Sequence, residues 1–423
     1  MRSKPVQWLV AGALLFACAV PGWAQPDLIG DEFRVNQYGK GRPLKPMAAF
    51  GPSGNSLIVW EHDNLGIAGR FFDRNGVPTS AELLLVANAN LPTIPARGEV
   101  TLRKDPALLY LPNGEFLLVW TEEKQDLLVR AFYAKWEVLN QDIMGQRFDG
   151  AGNPLGERFR VNAAAAGFQR RPSLALKTGG IVVVWEDDVN LNNDKFSRSV
   201  RGRLLSRRGQ PTGAEFRVDD GQSPWLRNAA LAVNGAGDFL VAWEMQDADG
   251  PGIAARAYQM NGAAKGLQFG VTTTQAGLQG VPAALAMRDG GFLVAWQSFQ
   301  EGTTHHGIYG QFFSSAGSRI GSEFLVSSGL GEAQYSTALA LLPNGDVLVS
   351  WMDYQGIVQV GVYMTVIDKA GQRQGDDLLA SRELVYIQKQ NSVSVTANGD
   401  ILATWEGRLN RTRGITARRL RID

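Results

Sequence analysis

Carboxylate side chains recur at one fixed place in this sequence, directly after a tryptophan. Glu61, Glu186, Glu244 and Glu406 each follow a tryptophan that ends a short apolar run. Hydrolysis of a glycosidic bond needs two carboxyl groups held at a set separation. A group that recurs from repeat to repeat is more often a hydrogen-bonding partner of its neighbours. The repetition therefore favours a structural role, with catalysis as the alternative.

Histidine offers little material for other chemistry, because the chain has only 3 histidines: His62, His305 and His306. A histidine-ligated metal and a Ser-His-Asp triad both depend on that side chain. No Gly-rich phosphate loop or nucleophile elbow occurs in the sequence. No complete set of acid, base and nucleophile is found outside the repeat pattern. The sequence therefore favours a protein that is not an enzyme, with an enzyme as the alternative.

Four oxygen-bearing side chains stand two residues apart in one segment: Asp188, Asn190, Asn192 and Asp194. Ligands that alternate in this way form the first half of an EF-hand calcium loop. Asn193 takes the place of the glycine of that loop, and Ser199 the place of its bidentate glutamate, which excludes a high-affinity EF-hand. The segment predicts a weak Ca²⁺ site, with an ordinary polar loop as the alternative. No other cofactor is predicted.

Aromatic and basic side chains are mixed in an insertion at residues 122–140. Its candidate ligand-binding residues are Arg130, Tyr133, Lys135 and Trp136. Aromatic rings supply flat contact area and the cations supply hydrogen bonds, a mixture enriched at binding surfaces. We predict a loop that contacts a ligand. The alternative is a loop folded back as a cap on the scaffold.

The elements that must hold these residues are repeats marked by tryptophan. Seven short apolar runs end in one, 53 to 65 residues apart: Trp60, Trp120, Trp185, Trp243, Trp296, Trp351 and Trp405. The tryptophan run lies between an apolar run with its Gly-containing turn and a run in the style of Gly-Ile-x-Gly-x-x-Phe. Because each tryptophan has the same place in its run, we predict that these rings pack between neighbouring repeats and are not ligand platforms.

Each run reads as a β-strand, because it is short, rich in Val, Ile, Phe and Tyr, and bounded by Gly, Asn, Asp or Pro. Four strands in each of seven repeats predict an all-β fold, a seven-bladed β-propeller of four-stranded antiparallel blades. Residues 25–423 are expected to form this single domain. The predicted blades span about 46–87, 105–162, 171–219, 228–273, 281–328, 335–381 and 391–423.

The two ends of the chain predict how the ring closes. The last repeat supplies three strands, and a fourth is found near the N-terminus. Residues 31–36, Asp-Glu-Phe-Arg-Val-Asn, match the fourth strand of the second repeat at residues 157–162. The N-terminal strand is therefore expected to complete the last blade.

The repeated unit is seen as Gly307-Ile-Tyr-Gly-Gln-Phe-Phe and as Asp142-Ile-Met-Gly-Gln-Arg-Phe-Asp. It resembles the tandem repeats of β-propeller proteins secreted by bacteria. The resemblance covers nearly the whole chain after residue 24 and implies a propeller outside the cytoplasm. It brings no agreed activity with it. The Ser-x-Asp-x-Gly-x-Thr-Trp box of sialidases and the Gly-His to Trp-Asp frame of WD40 repeats are absent.

The N-terminus predicts the compartment. Arg2 and Lys4 precede an apolar run from Trp8 to Val20, which small residues follow as far as Ala24. This pattern predicts a cleaved signal peptide over residues 1–24 and a secreted or periplasmic protein. A lipoprotein site at Cys18 is the disfavoured alternative, because bulky Phe16 stands beside Ala17. No later stretch is long and apolar enough for a membrane span.

Charge and cysteine content exclude further classes. Cleavage after Ala24 removes Arg2 and Lys4 and changes the formal net charge from +1 to −1. A nucleic-acid partner is therefore excluded, since phosphate binding relies on clustered positive charge. Cleavage also removes Cys18, the only cysteine, so the mature chain is predicted to have neither a disulfide nor a cysteine-ligated metal.

Length variation among the repeats predicts where function resides. Three neighbouring segments, 88–104, 122–140 and 187–198, are long and fall on one face of the predicted disc. Variable loops on a rigid scaffold are where recognition usually lies. The sequence predicts a monomeric binding or scaffold protein that presents this loop-rich face to a protein or glycan. The alternative is a carbohydrate-active hydrolase or lyase with carboxylates in the central depression.

Overall fold

The computed structural model describes residues 25–37, 41–90, 99–130, 133–163, 167–188, 198–223, 225–247, 250–273, 277–299, 306–329, 333–354, 360–382, 389–409 and 412–422. The predicted signal peptide lies outside these residues. Within them the chain forms 28 β-strands and no helix. The described part therefore contains no helix with the length and apolarity that a membrane span requires. The predicted all-β fold is confirmed.

The first half of the chain contains β1 Asp27–Arg34, β2 Pro43–Phe50, β3 Ser56–His62, β4 Gly66–Phe72, β5 Leu83–Ala87, β6 Glu99–Tyr110, β7 Phe116–Arg130, β8 Tyr133–Phe148, β9 Pro154–Arg160, β10 Phe168–Lys177, β11 Gly180–Asp188, β12 Arg198–Leu205 and β13 Phe216–Arg217. The second half contains β14 Leu226–Val233, β15 Phe239–Gln246, β16 Pro251–Tyr258, β17 Phe269–Gly270, β18 Leu278–Ala286, β19 Phe292–Phe299, β20 His306–Phe313, β21 Arg319–Leu325, β22 Ala333–Leu341, β23 Val347–Tyr354, β24 Val360–Ile367, β25 Leu378–Leu379, β26 Lys389–Val395, β27 Asp400–Leu409 and β28 Thr412–Arg421.

These strands form groups of four that pair antiparallel in chain order. Four separate sheets follow this pattern: β2 to β5, β14 to β17, β18 to β21 and β22 to β25. A fifth sheet has the order β1-β28-β27-β26. The remaining eight strands, β6 to β13, form a sixth sheet in which β8 meets β10 through one parallel pair, Gln141 with Phe168. The predicted four-stranded antiparallel sheets are confirmed, and two of the groups are joined by that single pair.

The groups are arranged around an axis. The first strand of each group contacts the first strand of the next, in the order β2, β6, β10, β14, β18, β22 and β26, and β26 contacts β2. The first strands therefore line the centre of the molecule, and the later strands of each group lie progressively further out.

The N-terminal strand completes the group that contains the end of the chain. Strand β1 pairs antiparallel with β28, and the pairing starts at Asp27 opposite Arg421. The backbone N–H of Val35 donates to Ile415 O at 2.9 Å, and the Asn36 side chain accepts from Ile415 N at 2.8 Å. Asn162 makes the same bond to Ile143 N within its own group, also at 2.8 Å. The N-terminal segment thus occupies the place of a fourth strand.

The hydrophobic core lies between neighbouring groups. All seven repeat tryptophans are at most 1% exposed. Trp120 packs against Ile67 and Phe71 of the preceding sheet, and Trp60 packs against Ile415 of the sheet that contains β1. Burying such a ring removes a large apolar area from water. The prediction that these side chains pack between neighbouring repeats is confirmed.

The repeated glycine of the third strand has a packing reason. A Cβ on Gly145 would lie 2.6 Å from Cζ of Phe159, and a Cβ on Gly202 would lie 2.6 Å from Cζ of Phe216. The glycine therefore leaves room for the aromatic ring of the fourth strand. Its neighbour Gln146 donates through Nε2 to Leu155 O at 3.3 Å and Gly156 O at 3.1 Å, which holds the fourth strand beside the third.

Candidate functional site

Each first strand contains a residue in the left-handed conformation, at the point where its register with the second strand shifts. Their φ angles lie between 46° and 59°: Lys45, Asp105, Arg171, Asn228, Val281, Ser336 and Gln390. Non-glycine residues rarely adopt this conformation, and it is least favourable for a β-branched residue such as Val281. A β-bulge of this kind re-aims a side chain out of the regular alternation.

The bulges explain why the first strands begin two to six residues before the predicted blade starts. The apolar alternation resumes only after the bulge, and the predicted boundaries lie at these positions or next to them, as at Asp105 and Arg171. In four first strands a basic residue stands directly before the bulge: Lys104, Arg170, Arg227 and Lys389. They still pair with the second strand, as Lys104 does with Thr121.

Six of the seven bulge residues line one depression on the axis of the molecule. It has a volume of about 330 Å³ and is lined by Lys45, Met47, Asp105, Pro106, Arg171, Pro172, Asn228, Ser336, Gln390 and Asn391. These residues lie near the start of the first strands, opposite the end of the second strands, as the pairing of Leu44 with Glu61 shows. The depression is therefore at the face that carries the connections between groups and the insertion of the second repeat.

The side chain after the tryptophan supports the bulge of the next group. Glu61 Oε2 accepts from Asp105 N at 3.0 Å, and Thr121 Oγ1 accepts from Arg171 N at 3.0 Å. Glu186 Oε1 accepts from Asn228 N at 2.7 Å, and the N–H of Val281 donates to Glu244. The predicted structural role of the repeated carboxylates is confirmed for Glu61, Glu186 and Glu244. Glu406 differs, since it pairs with Arg413 inside its own sheet.

Opposite charges on one side of the depression hold each other in place. Lys45 Nζ lies 2.9 Å from Glu61 Oε2 and also contacts Asp105 Oδ1. Burial disfavours the charged ammonium, but Asp105 and Glu61 outweigh it and raise the pKa of Lys45 above its ordinary value. The second oxygen of Asp105 accepts from Thr121 Oγ1 at 3.1 Å. Asp105, the carboxylate among the described lining residues, thus has both oxygens bonded.

Arg171 is the most exposed charged group of the depression. Its side chain is 50% exposed, and Nη1 donates to Glu186 Oε1 at 3.3 Å and to Asn228 Oδ1 at 3.2 Å. A guanidinium has five N–H donors, so further donors remain for a ligand. Asn228, in turn, donates through Nδ2 to Glu244 Oε1 at 3.0 Å. These bonds fix both side chains at the mouth of the depression.

The chemistry of this lining suits a small polar ligand with apolar faces. Ammonium, guanidinium, amide, hydroxyl and carboxylate groups converge from six first strands, beside the apolar side chains of Met47, Pro106 and Pro172. The volume lies near the lower end of the ~300–1,000 Å³ typical of small-molecule sites. The arrangement can bind hydroxyl groups and pack against C–H surfaces at the same time.

None of these lining residues was singled out from the sequence. The available indication was a repeated position whose residue type changes from repeat to repeat while its surroundings stay similar. Proline follows it in Lys45-Pro, Asp105-Pro, Arg171-Pro and Val281-Pro. When the residue at a repeated position varies among polar types, that position does not have the same structural role in every repeat.

The insertion of the second repeat is a β-hairpin, so the prediction of a loop there is wrong. Strands β7 and β8 have 15 and 16 residues, against eight for β15 and β16. Their pairing continues to Arg130 opposite Tyr133. The run Leu-Leu-Val-Arg at 127–130 has the strand-forming composition that makes this extension favourable.

The structure brings the predicted ligand-binding residues together at the tip of this hairpin, which we call the arm (residues 127–136). Arg130 pairs with Tyr133, Lys135 with Leu128, and Trp136 with Leu127. The Trp136 side chain is 38% exposed. In the described residues, pairing of β7 with β6 ends at Asp126, so the arm pairs only within itself. Its contact with a ligand stays a prediction.

The predicted calcium segment is described at one end only. Asp188 is the last residue of β11, and its buried carboxylate accepts from Arg198 Nε at 3.3 Å. Asn190, Asn192 and Asp194 lie outside the described residues. Among the residues that are described, no group of three or more His, Cys, Asp or Glu could hold a metal ion. The weak Ca²⁺ site stays a prediction.

A ring of antiparallel sheets around an axis, with a polar depression on that axis, defines the class of protein as a β-propeller. No protein-family model and no curated protein matches this sequence. Among solved structures, the chain is similar to a protein of unknown function from Dyadobacter fermentans. The TM-score is 0.55 and the identity 10%, over 96% of this chain and 100% of that one.

Two further solved structures are similar over most of their length. One is an ulvan lyase of a polysaccharide lyase family, bound to a GlcA(1-4)Rha3S oligosaccharide, with a TM-score of 0.51 and 7% identity over 94% of both chains. The other is an α-L-arabinofuranosidase from Fusarium graminearum in complex with arabinobiose, with a TM-score of 0.48 and 11% identity over 95% of this chain and 98% of that one. At such identities the likeness concerns the fold.

Proposed function

We propose that this chain is a secreted glycan-binding protein whose ligand site is the axial depression. The observation that carries the proposal is the convergence of six polar side chains, of five chemical kinds, from six first strands: Lys45, Asp105, Arg171, Asn228, Ser336 and Gln390. A sugar ring offers hydroxyl groups along its edge and C–H groups on its faces, which match this lining. A volume of about 330 Å³ falls within the ~300–1,000 Å³ range of small-molecule pockets. It therefore suits a sugar better than the extended surface of a protein partner.

The proposal includes a propeller of seven blades. The single parallel pair between β8 and β10 is a contact between two four-stranded blades, β6 to β9 and β10 to β13. Every other strand pair in that sheet joins two strands of the same blade. The succession of seven first strands around the axis supports this count. Secretion rests on the signal peptide predicted over residues 1–24.

A carbohydrate-active enzyme acting at the same depression is the second candidate. The fold-level likeness to an ulvan lyase favours it, and Asp105 is the described lining carboxylate that would have to take part. Binding without turnover is preferred because both oxygens of Asp105 are bonded, to Lys45 and Thr121, and because Glu61, Glu186 and Glu244 are bonded to neighbouring blades.

The first test is a glycan array with the purified mature chain, followed by calorimetric titration of the strongest ligand. Arg171→Ala and Asn228→Ala should each weaken binding about tenfold or more, because each removes hydrogen bonds made at the mouth of the depression. Arg74→Ala is the matched control, an exposed arginine in a turn at the opposite face, and should leave the affinity unchanged. If all three variants bind the ligand with the affinity of the wild type, the ligand binds at another site.

Two further measurements separate the remaining interpretations. A variant in which a two-residue turn joins Asp126 to Glu137 removes the arm while keeping the paired base of the hairpin. Lost binding in this variant assigns the ligand to the arm, and retained binding leaves it at the depression. Incubation with neutral and acidic polysaccharides, including ulvan, tests the enzymatic candidate, for which the release of short products that stops in Asp105→Asn is the expected result.

A further inference from the structure

A second cavity lies on the face opposite the depression, between the second and third groups of strands. It has a volume of about 500 Å³ and is lined by Leu111, Pro112, Asn113, Glu115, Arg147, Arg207 and Arg208. Strand β6 runs from Asp105 at the depression to Tyr110, next to this cavity. At ~3.3 Å per residue the two sites are separated by roughly 15–20 Å along that strand. We call the second cavity the arginine cleft.

Positive charge exceeds negative charge in the arginine cleft. Its described lining holds three guanidinium groups and one carboxylate. Arg147 Nη2 pairs with Glu115 Oε2, while Arg147 Nε is buried without a hydrogen-bond partner among the described residues. The hydrogen bond from Arg147, together with the charges of Arg147 and Arg208, holds the pKa of Glu115 below its usual value. The carboxylate is thus ionised and offsets only one of the three cations.

These arginines depart from the repeat pattern. The turn Ser206-Arg-Arg-Gly209 corresponds to turns such as Asp149-Gly-Ala-Gly152, Ser314-Ser-Ala-Gly317 and Asp368-Lys-Ala-Gly371. Two adjacent cations occur only in the first of these turns. At the position of Arg147, five other repeats have an apolar residue and the last has Arg419: Phe71, Leu204, Ala257, Phe312 and Val366. Since the turn forms without these charges elsewhere, its fold does not require them.

We propose that the arginine cleft binds a tetrahedral oxyanion, a phosphate or sulfate group, held by Arg147, Arg207 and Arg208. Guanidinium groups bind such anions through paired, charge-assisted hydrogen bonds. The ligand supplies the negative charge that the single carboxylate of Glu115 does not provide. Glu115 orients Arg147 and at the same time repels the anion, so it limits the affinity. The anion enters either as a free ion or as an ester on a larger glycan.

The test is calorimetric titration of the mature chain with inorganic phosphate and with sulfate at low ionic strength, against chloride. Arg208→Gln should weaken binding about tenfold, because it removes one charged donor. Glu115→Gln should strengthen it several-fold, because it removes the repelling charge. Lys369→Gln is the matched control, since Lys369 stands in the same turn of another repeat, and should bind as wild type does. Thermal melts confirm that each variant is folded.

The two sources of the anion are distinguished by a sulfated oligosaccharide and its desulfated form. Preference for the sulfated form over the free ions assigns the cleft to a glycan ester, and equal binding of free ions and ester assigns it to the ion itself. Absence of saturable binding by every anion, or weaker binding in Glu115→Gln, would overturn the proposal. Arg171→Ala should leave anion binding unchanged, so failure of the glycan proposal at the depression is recognised separately.

Discussion

At the scale of single residues, four of the side chains that follow a tryptophan connect neighbouring groups of strands: Glu61, Thr121, Glu186 and Glu244. Glu186 shows the arrangement most fully, since Oε1 accepts from the backbone of Asn228 and from Arg171, and Oε2 accepts from Arg170 at 3.2 Å. The carboxylate is 4% exposed. It satisfies a partly buried N–H that the bulge has taken out of the regular ladder. An unsatisfied N–H of this kind costs about 1–3 kcal/mol.

Glu186→Ala should therefore lower the free energy of unfolding by about 2–3 kcal/mol. This is less than the ~3–5 kcal/mol for a broken, fully buried ion pair, because Arg171 is half exposed. Glu186→Gln should lower it by only about 1 kcal/mol, because the amide oxygen still accepts from Asn228 N. Gln297 holds the equivalent position in the fifth repeat, which shows that the amide fits. Urea unfolding measures both. Equal losses would show that the charge, and not the acceptor, supports the bulge.

At the scale of elements, the N-terminal strand is the connection that closes the ring. Val35 is fully buried against Ile58, Trp60 and Ile415, whereas Leu28 on the same segment is 38% exposed. The N-terminal segment is therefore anchored in the core by Val35, which directly follows β1, whereas Leu28 near its start is not buried. Removing the segment leaves the edge of β28 unpaired, and unpaired edges promote association between chains.

Val35→Ser should lower the free energy of unfolding by about 2 kcal/mol or more, the range for a truncated core residue. Leu28→Ser is the control on the same segment and should change it by less than about 0.5 kcal/mol. Deletion of residues 27–36 should lower the melting temperature and produce aggregates in size-exclusion chromatography. A monodisperse deletion variant with an unchanged melting temperature would contradict the closing role of this strand.

At the scale of the whole molecule, covalent order around the ring matters because one group is assembled from both ends of the chain. Asp27 lies opposite Arg421, so a short linker can join the ends. New chain ends can then be introduced at other turns, which gives circular permutants. These permutants differ in how the ring is closed but have the same strands. Surface turns tolerate such openings when no buried backbone is affected.

A permutant opened in the turn Ser206–Gly209 keeps one group assembled from both ends, because β13 then begins the chain and still pairs with β12. A permutant opened at Gly329, between β21 and β22, makes every group continuous and leaves one junction between blades held by packing alone. The first should melt close to the natural order and the second at a lower temperature. Identical melting curves for the two permutants would show that strand exchange at the closure adds no stability.

The sequence by itself determined the elements and their order. A strand is a local pattern of apolar alternation between turn residues, and a repeated pattern fixes which faces must be buried, so the tryptophan runs and the four-stranded groups were readable from residues alone. The match of residues 31–36 to other fourth strands likewise indicated the strand that pairs with β28. The arm is where the prediction from sequence is wrong, since an insertion predicted as a loop forms two paired strands.

Only the tertiary structure decided what lies at the centre. Lys45, Asp105, Arg171 and Asn228 are separated by about sixty residues each in the chain, and they meet because the blades bring equivalent positions to one axis. The left-handed bulges at Asp105, Arg171 and Asn228 each depend on a bond to the neighbouring blade, which no local pattern records. These distant residues converge because the ring of sheets closes around one axis. Their proximity therefore follows only from the tertiary structure.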